Sequence, residues 1–328
     1  MINPIHNGVA GRQTEESHIM IKIACVGDNV VDINYIDGIV HPGGNSVNVA
    51  VNCSQMGCSA AYVGVLADDR YAEVVKDSLK AYGVDFSMCP TLHGQTDRCA
   101  ITLADGERHI ADENGGGLIK EKPLVITDDI LQYLRQFDVI HTDCYAYIDD
   151  QLWKLKKLGK PLLYDCSEEW TPEKVAAIGS KVDFMLFSAR EDWTVEENRQ
   201  MLHDAVDRFG AKTAILTMGT TGAWVYDGSM EYTKEPYNVE AGAIDTTGCG
   251  DSWISGFIMT YISQVRLMQK MKSESDDRFI VEANERDVHE NAIRMAMCVG
   301  NLKARYTCRI KGAYKGGVPL DAVGRTDK

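Results

Sequence analysis

Apolar residues along this chain come in short continuous runs, and longer stretches of helical spacing separate them. Ile21-Lys22-Ile23-Ala24-Cys25-Val26-Gly27 reads as a first buried strand, and residues 60–65 as a second. Residues 138–141, 161–165, 184–187 and 213–216 repeat the pattern. Runs this short suit strands buried on both faces. Between them, residues 71–82 put Val74, Val75 and Leu79 on one helical face. Ala50, Val51, Cys53 and Met56 continue a helix that opens at Gly43-Gly44, and residues 291–305 form another around Ile293, Ala296, Met297 and Val299. Strand–helix alternation predicts an α/β fold, with a mostly parallel central sheet and helices on both faces. Ligands in such sheets collect beyond the carboxyl ends of the strands. Asp28, Asp165 and Thr217 each follow a strand and converge on that edge.

Two segments break the alternation. Residues 33–42 carry an Asp37-Gly38 turn, and residues 91–117 carry Asp105-Gly106 between β-like arms. Asp-Gly is a strong hairpin signal, so β-hairpins are expected there, in plain surface connections or in a separate β element. Residues 1–19 are polar and lack periodicity, and are expected to be a disordered extension. One domain is expected over 20–318, followed by a C-terminal tail at 319–328. Residues 270–287 mix both charges and read as a surface insertion.

Composition narrows the classes. The 328 residues are 45% hydrophobic, ample for a large core. A net charge of −14 with no basic face argues against nucleic acid. No apolar run is long enough for a membrane span. The ten cysteines show no zinc spacing and no paired CxxC motif, which suits free thiols in a cytoplasmic setting.

The densest chemistry lies in Asp245-Thr246-Thr247-Gly248-Cys249-Gly250-Asp251-Ser252, immediately before an apolar helix (Trp253, Ile254, Phe257, Ile258). A helix start leaves N–H groups without partners and favours negative charge. Glycines let that backbone press against a phosphoryl group. Asp251 stands where a carboxylate could take a proton from an attacking hydroxyl, so the run suits phosphoryl transfer to an alcohol. Upstream, Asn45, Asn48 and Asn52 share one helical face. Asparagine is a poor helix former, and its amide suits polyol hydroxyls. An N-cap role for Asn45, with the others exposed, is the alternative.

Gly248-Cys249-Gly250-Asp251 resembles the Gly-Ala-Gly-Asp signature of the PfkB (ribokinase-like) carbohydrate kinases. Gly43-Gly44-Asn45-Ser46-Val47-Asn48 resembles the family's second signature. The resemblance runs from about Met20 to about Tyr314. It implies a ribokinase-like fold with a small β lid over a sugar, at about 33–42 and 91–117. It also implies ATP and Mg²⁺ as cofactors, with room for a monovalent cation. An open lid-sheet edge that finds a partner edge would make a homodimer. Asp251 would be the general base, and the amides of Gly248, Cys249 and Gly250 the anion hole. Asp28, Asp32, Gly43, Gly44, Asn45 and Asn48 would hold the sugar. Thr217-Met218-Gly219-Thr220-Thr221-Gly222 resembles the family's Thr-x-Gly-x-x-Gly phosphate loop, so Thr217, Gly219 and Gly222, with Thr247, would face the nucleotide. Glu191 would order the metal's water shell, although Ser188 replaces the family's asparagine nearby. Asn301 and Lys303 lie where the family shapes its adenine pocket.

Cys249 replaces the family's alanine. A thiol at a helix N-terminus should have a lowered pKa, so Cys249 is either a reactive thiol or an inert small residue. Gly27-Asp28-Asn29-Val30-Val31-Asp32-Ile33, the Tyr164-Asp165-Cys166-Ser167 run and the missing asparagine at Ser188 lean toward fructoselysine 6-kinase-like members. That implies a ketose-like sugar bearing an amine adduct. Fructose-type and nucleoside kinases, or a catalytically weak sugar-binding regulator, remain alternatives. A dinucleotide oxidoreductase lacks its GxGxxG motif after the first strand.

Overall fold

The first apolar run forms strand β1 (Lys22–Val26), whose alternation sets the plan of the molecule. Ile23 and Cys25 enter one hydrophobic core, and Ala24 and Val26 enter another on the opposite face. Strand side chains alternate with period two, so a strand buried this way must be covered by helices on both sides. The computed structural model describes residues 20–104, 107–237, 242–274 and 284–323. The extension expected at 1–19, the Asp105-Gly106 turn, residues 275–283 of the charged segment and residues 324–328 of the tail lie outside the described residues.

From β1 the chain passes through β2 (Val30–Asn34), β3 (Ile39–Gly43), α1 (Asn45–Gln55), β4 (Ser59–Val63), β5 (Leu66–Ala67) and α2 (Arg70–Ala81). Next come β6 (Thr91–Leu92), β7 (Asp97–Ala104), β8 (Glu107–Asp112), α3 (Gly117–Glu121) and α4 (Asp128–Leu134). The alternation resumes with β9 (Val139–Asp143), α5 (Leu152–Lys156), β10 (Leu162–Asp165), α6 (Pro172–Ile178), β11 (Phe184–Ser188), α7 (Val195–Asp207) and β12 (Thr213–Thr217). The chain then adds β13 (Ala223–Tyr226), β14 (Glu231–Lys234), α8 (Cys249–Glu274), α9 (Glu285–Thr307), β15 (Val318–Pro319) and α10 (Leu320–Val323).

Eight strands form the central sheet in the order β14-β13-β12-β11-β10-β9-β1-β4. The ladder from β12 to β4 is parallel, as the apolar runs predicted. The sequence reading missed β13 and β14, which extend one edge antiparallel. Their half-buried alternation (Ala223 and Val225 in, Trp224 and Tyr226 partly out) is an edge pattern rather than a continuous apolar run. Residues of α1, α8 and α9 fill one core, and residues of α4, α5, α6 and α7 fill the other.

A second sheet has the order β15-β3-β2-β7-β8. It begins at Val30 rather than residue 33. Thr91–Leu92 instead pairs with Leu66–Ala67 in a separate two-stranded ladder. Val318–Pro319 adds an edge strand to β3 and Leu320–Val323 a helical turn, so the expected tail begins as structure. The expected insertion likewise starts late, because α8 runs on to Glu274. No Gly or Pro interrupts residues 257–274, and Arg266 anchors the helix to Asp138 at 2.5 and 2.6 Å. No helix among the described residues is long and apolar enough to cross a membrane.

Phe257 is fully buried, and its ring stacks with Trp253 and Tyr261 and meets Phe184 edge-on. Phe257→Ala should therefore lower unfolding free energy by about 3–5 kcal/mol, read by urea denaturation. A loss below about 1 kcal/mol would show that α8 does not pack as described.

Candidate active site

The site begins where β1 ends. The Asp28 carboxylate accepts the Asn45 N–H at 3.0 Å and the Ser46 N–H at 2.9 Å. A helix start needs such acceptors, because its first N–H groups have none inside the helix. Gly44 makes the approach possible: it sits at φ +103°, and a Cβ there would lie 2.7 Å from the Asn29 Cα. Both oxygens of Asp28, expected at the sugar, thus hold the start of α1. Ser46 Oγ donates to Asp143 Oδ2 at 2.5 Å. Asp143 was not singled out from the sequence; its signal was an acid closing a fully buried strand.

The asparagine stripe has a specific use. Asn45 Nδ2 donates to Asp165 Oδ2 at 2.9 Å, and Asn48 Nδ2 donates to Asp251 Oδ2 at 2.7 Å. Asn52 is buried and donates to the Asn48 carbonyl at 2.9 Å, so it serves the helix itself. The amide oxygens of Asn45 and Asn48 are buried with no hydrogen-bond partner. A Cβ built on Gly43 would stand 3.5 Å from Asp32 Oδ2 and 3.7 Å from Asn48 Oδ1. Asp32 and Asn48 therefore present acceptors to the same gap, which suits a hydroxyl donor.

Burial raises four carboxyls of this floor, those of Asp28, Asp143, Asp165 and Asp251. Asp28 and Asp165 are each pushed up to about 6, with desolvation as the leading cause and hydrogen bonds from Ser46, Asn45 or Ser167 opposing it. Asp143 and Asp251 are held well above the usual carboxylate range by desolvation first and by neighbouring aspartates second. The donors that hold these groups are neutral amides, a serine hydroxyl and backbone N–H groups. The register Asp165↔Asp143 sets two of these acids side by side at the carboxyl edge of the sheet.

Asp251 belongs to the first turn of α8. Gly248 precedes that turn at φ +69°, and a Cβ there would lie 2.2 Å from the Ala313 Cβ. The Cys249 N–H donates to the Thr246 carbonyl at 3.1 Å, and the Ser252 N–H makes the helical bond to Gly248 at 2.9 Å. Of the three expected anion-hole amides, that of Cys249 is thus engaged in a turn. Helix geometry leaves Gly250 and Asp251 as first-turn donors without an intrahelical acceptor, and the space around Gly250 is open. Asp245 shapes the turn: it accepts the Thr247 N–H at 3.0 Å and hydroxyl at 2.8 Å, and the Gly312 N–H at 3.0 Å. Thr247, expected at the nucleotide, directs its hydroxyl to Asp245. No role for Asp245 was drawn from the sequence, although it opens the motif.

The loop after β12 turns through Gly219–Thr221. Gly219 borders open space, whereas Gly222 at φ +113° packs on the Lys234 carbonyl and turns the chain into β13. Thr217 is partly buried, and its carbonyl accepts the Ala189 N–H. Glu191 is exposed in the turn after β11. Asn301 is buried, accepting from the Trp253 indole N–H and donating to the Glu235 carbonyl. Among the described residues no group of three or more His, Cys, Asp or Glu could hold a metal ion.

The expected low pKa of Cys249 is corrected by the structure. Burial pushes this thiol up, and the Cys308 thiol, 2.8 Å away, pushes it further. Desolvation outweighs the helix dipole here.

A carboxylate and open amides at one helix start, beside polar acceptors at another, are what phosphoryl transfer to an alcohol requires of an α/β scaffold. Comparison with known proteins makes this specific. Residues 20–272 match the pfkB family carbohydrate kinase profile. Fructoselysine 6-kinase of Shigella flexneri is 31% identical over 252 residues, covering 77% of this chain and 94% of that protein. The solved ribokinase of Giardia lamblia superposes with a TM-score of 0.70 at 17% identity, covering 93% of this chain and 99% of that one. Fructokinase from Vibrio cholerae O395, solved with fructose, ADP and calcium ion, gives 0.66 at 21% identity, covering 90% and 96%. The chain belongs to the pfkB family of carbohydrate kinases. Kinases of this family use ATP and metal ions.

Because the folded protein holds the Asp165 proton more tightly than the unfolded chain does, this group lowers stability as pH rises from about 4 to about 6, and the loss levels off above that. Asp165→Asn removes the titration. Its stability relative to the parent should rise by about 3 kcal/mol across that window, read by urea unfolding at a series of pH values. A pH-independent difference would contradict the raised pKa.

Proposed function

We propose that this chain transfers the γ-phosphoryl group of ATP to a primary hydroxyl of a ketosamine of the fructoselysine type. The observation that carries the reading is the position of Asn48. Its amide nitrogen holds Asp251, and its partnerless oxygen faces the Gly43 gap beside Asp32. One side chain thereby joins the sugar end to the phosphate end.

In this reading Asp32 and the Asn48 oxygen accept hydrogen bonds from sugar hydroxyls, while Gly43 leaves room for the ring. The first-turn N–H groups of α8, foremost that of Gly250, line the terminal phosphate, and Gly248 lets the turn lie close. Asp251 accepts the proton of the attacking hydroxyl. Its raised pKa makes it a stronger base once deprotonated. Thr217 and Gly219 border the nucleotide. Bound Mg²⁺ would neutralise charge on the phosphate oxygens, with Glu191 ordering its waters. The second sheet, which carries Asp32, covers the sugar and excludes water. The crowded aspartates favour a substrate with a cationic amine, and the relative named above is a fructoselysine kinase.

Asp251→Asn should cut kcat by about 10²–10⁴-fold while leaving the circular-dichroism spectrum close to the parent's. Near-normal turnover would remove Asp251 from the base role. The parent's kcat/KM should also fall on the acid side with an apparent pKa well above the ordinary carboxylate range, since Asp251 must lose its proton to act. In a coupled ADP-release assay, fructoselysine should exceed fructose in kcat/KM by about tenfold or more, the equivalent of one modest ion pair. Equal values, or a preference for fructose, would reject the ketosamine assignment while leaving sugar kinase activity in place.

A further inference from the structure

Cys249 and Cys308 bring two thiols together at the phosphate end of the site. Cys249 opens α8 beside Gly250 and Asp251, and Cys308 caps the end of α9. Their sulfurs are 2.8 Å apart, and both residues are partly exposed. The segment that follows Cys308 already braces the turn before α8. The Cys308 carbonyl accepts the Ile244 N–H at 2.8 Å, the Gly312 N–H reaches Asp245 at 3.0 Å, and Ala313 packs on Gly248. We infer that Cys249 and Cys308 are a reversible dithiol–disulfide pair that controls the geometry of the first turn of α8.

The chemistry is thiol–disulfide exchange with a small disulfide of the glutathione type. One protein thiol loses its proton, and the thiolate attacks a sulfur of the small disulfide. A protein–small-molecule S–S bond forms, and one small thiolate leaves. The second protein thiol, also deprotonated, displaces the other small thiolate and closes the Cys249–Cys308 bond. Two S–H bonds and one S–S bond are lost, one S–S bond forms, and two small thiols carry away the protons and electrons.

A disulfide holds its sulfurs at about 2.05 Å, so closure draws the start of α8 toward the end of α9. The amides of this turn line the phosphate only when they point at it. Misaligning one hydrogen bond to a charged group weakens binding roughly tenfold or more. Burial raises the Cys249 thiol and keeps it in its neutral form. Closure is therefore favoured by contact with a partner thiol rather than by high reactivity of a single one.

The test uses the full reduced chain, incubated with oxidised glutathione, with unpaired thiols then blocked by an alkylating agent. Peptide mapping should show residues 249 and 308 on one disulfide-linked peptide pair, with intact mass lower by two hydrogens. Calorimetry with a non-hydrolysable ATP analogue should show affinity weakened roughly tenfold or more in the oxidised protein and restored by dithiothreitol. Cys308→Ser should bind the analogue like the reduced parent before oxidant and should form no internal disulfide after it. The inference is overturned if both thiols stay open to alkylation or if glutathione remains as a mixed disulfide. It is also overturned if other cysteines pair instead, or if the linked protein binds the analogue as tightly as the reduced form. Mapping and analogue binding involve no sugar, so failure of the ketosamine assignment would leave this result standing.

Discussion

A cluster of buried carboxylates held by uncharged donors is the constraint around which the site is built. Asp28, Asp143, Asp165 and Asp251 come together where β1, β9 and β10 end and α8 begins. Taking such groups out of water is costly unless hydrogen bonds compensate. Most of the compensation comes from the first turn of α1, with the Tyr145 and Ser167 N–H groups adding one bond each to Asp143 and Asp165. Its backbone N–H groups hold Asp28, Ser46 holds Asp143, Asn45 holds Asp165 and Asn48 holds Asp251. One helix start therefore fixes four acids drawn from four different parts of the chain. The glycine before it exists because the backbone must pass so close to Asn29.

That arrangement explains why the two sequence signatures, two hundred residues apart, work together. Asn48 donates to Asp251 across the cleft. Helix α1 thereby sets the orientation of the carboxylate in the first turn of α8. Asp245 plays the matching part behind α8, where it ties the turn at Thr247 to Gly312. Each end of the site is thus oriented by side chains that need not touch a ligand.

Much of this was legible in the sequence, for identifiable reasons. Strands buried on both faces write themselves as continuous apolar runs, so the parallel ladder from β12 to β4 could be read directly. The half-buried edge strands β13 and β14 could not, because their alternation is short and ends in polar residues. Glycine motifs marked both helix starts. Three asparagines on one helical face marked a polar demand, but spacing alone could not say whether they met sugar or protein. In the structure two of them meet carboxylates and the third meets the helix backbone. Asp28 was expected at the sugar from the family resemblance. Its capping of the neighbouring helix depends on how the chain returns in space, which periodicity does not encode. The contact between Cys249 and Cys308 was hidden for the same reason, since the two residues are 59 positions apart.

The most direct test is a crystal structure with a non-hydrolysable ATP analogue and fructoselysine bound together. The account predicts the terminal phosphate against the Gly250 amide, with an Asp251 oxygen within hydrogen-bond reach of the sugar's primary hydroxyl. It also predicts that the Asn48 amide oxygen accepts a second sugar hydroxyl. A terminal phosphate placed away from the start of α8, or a sugar held without Asn48 and out of reach of Asp251, would contradict it.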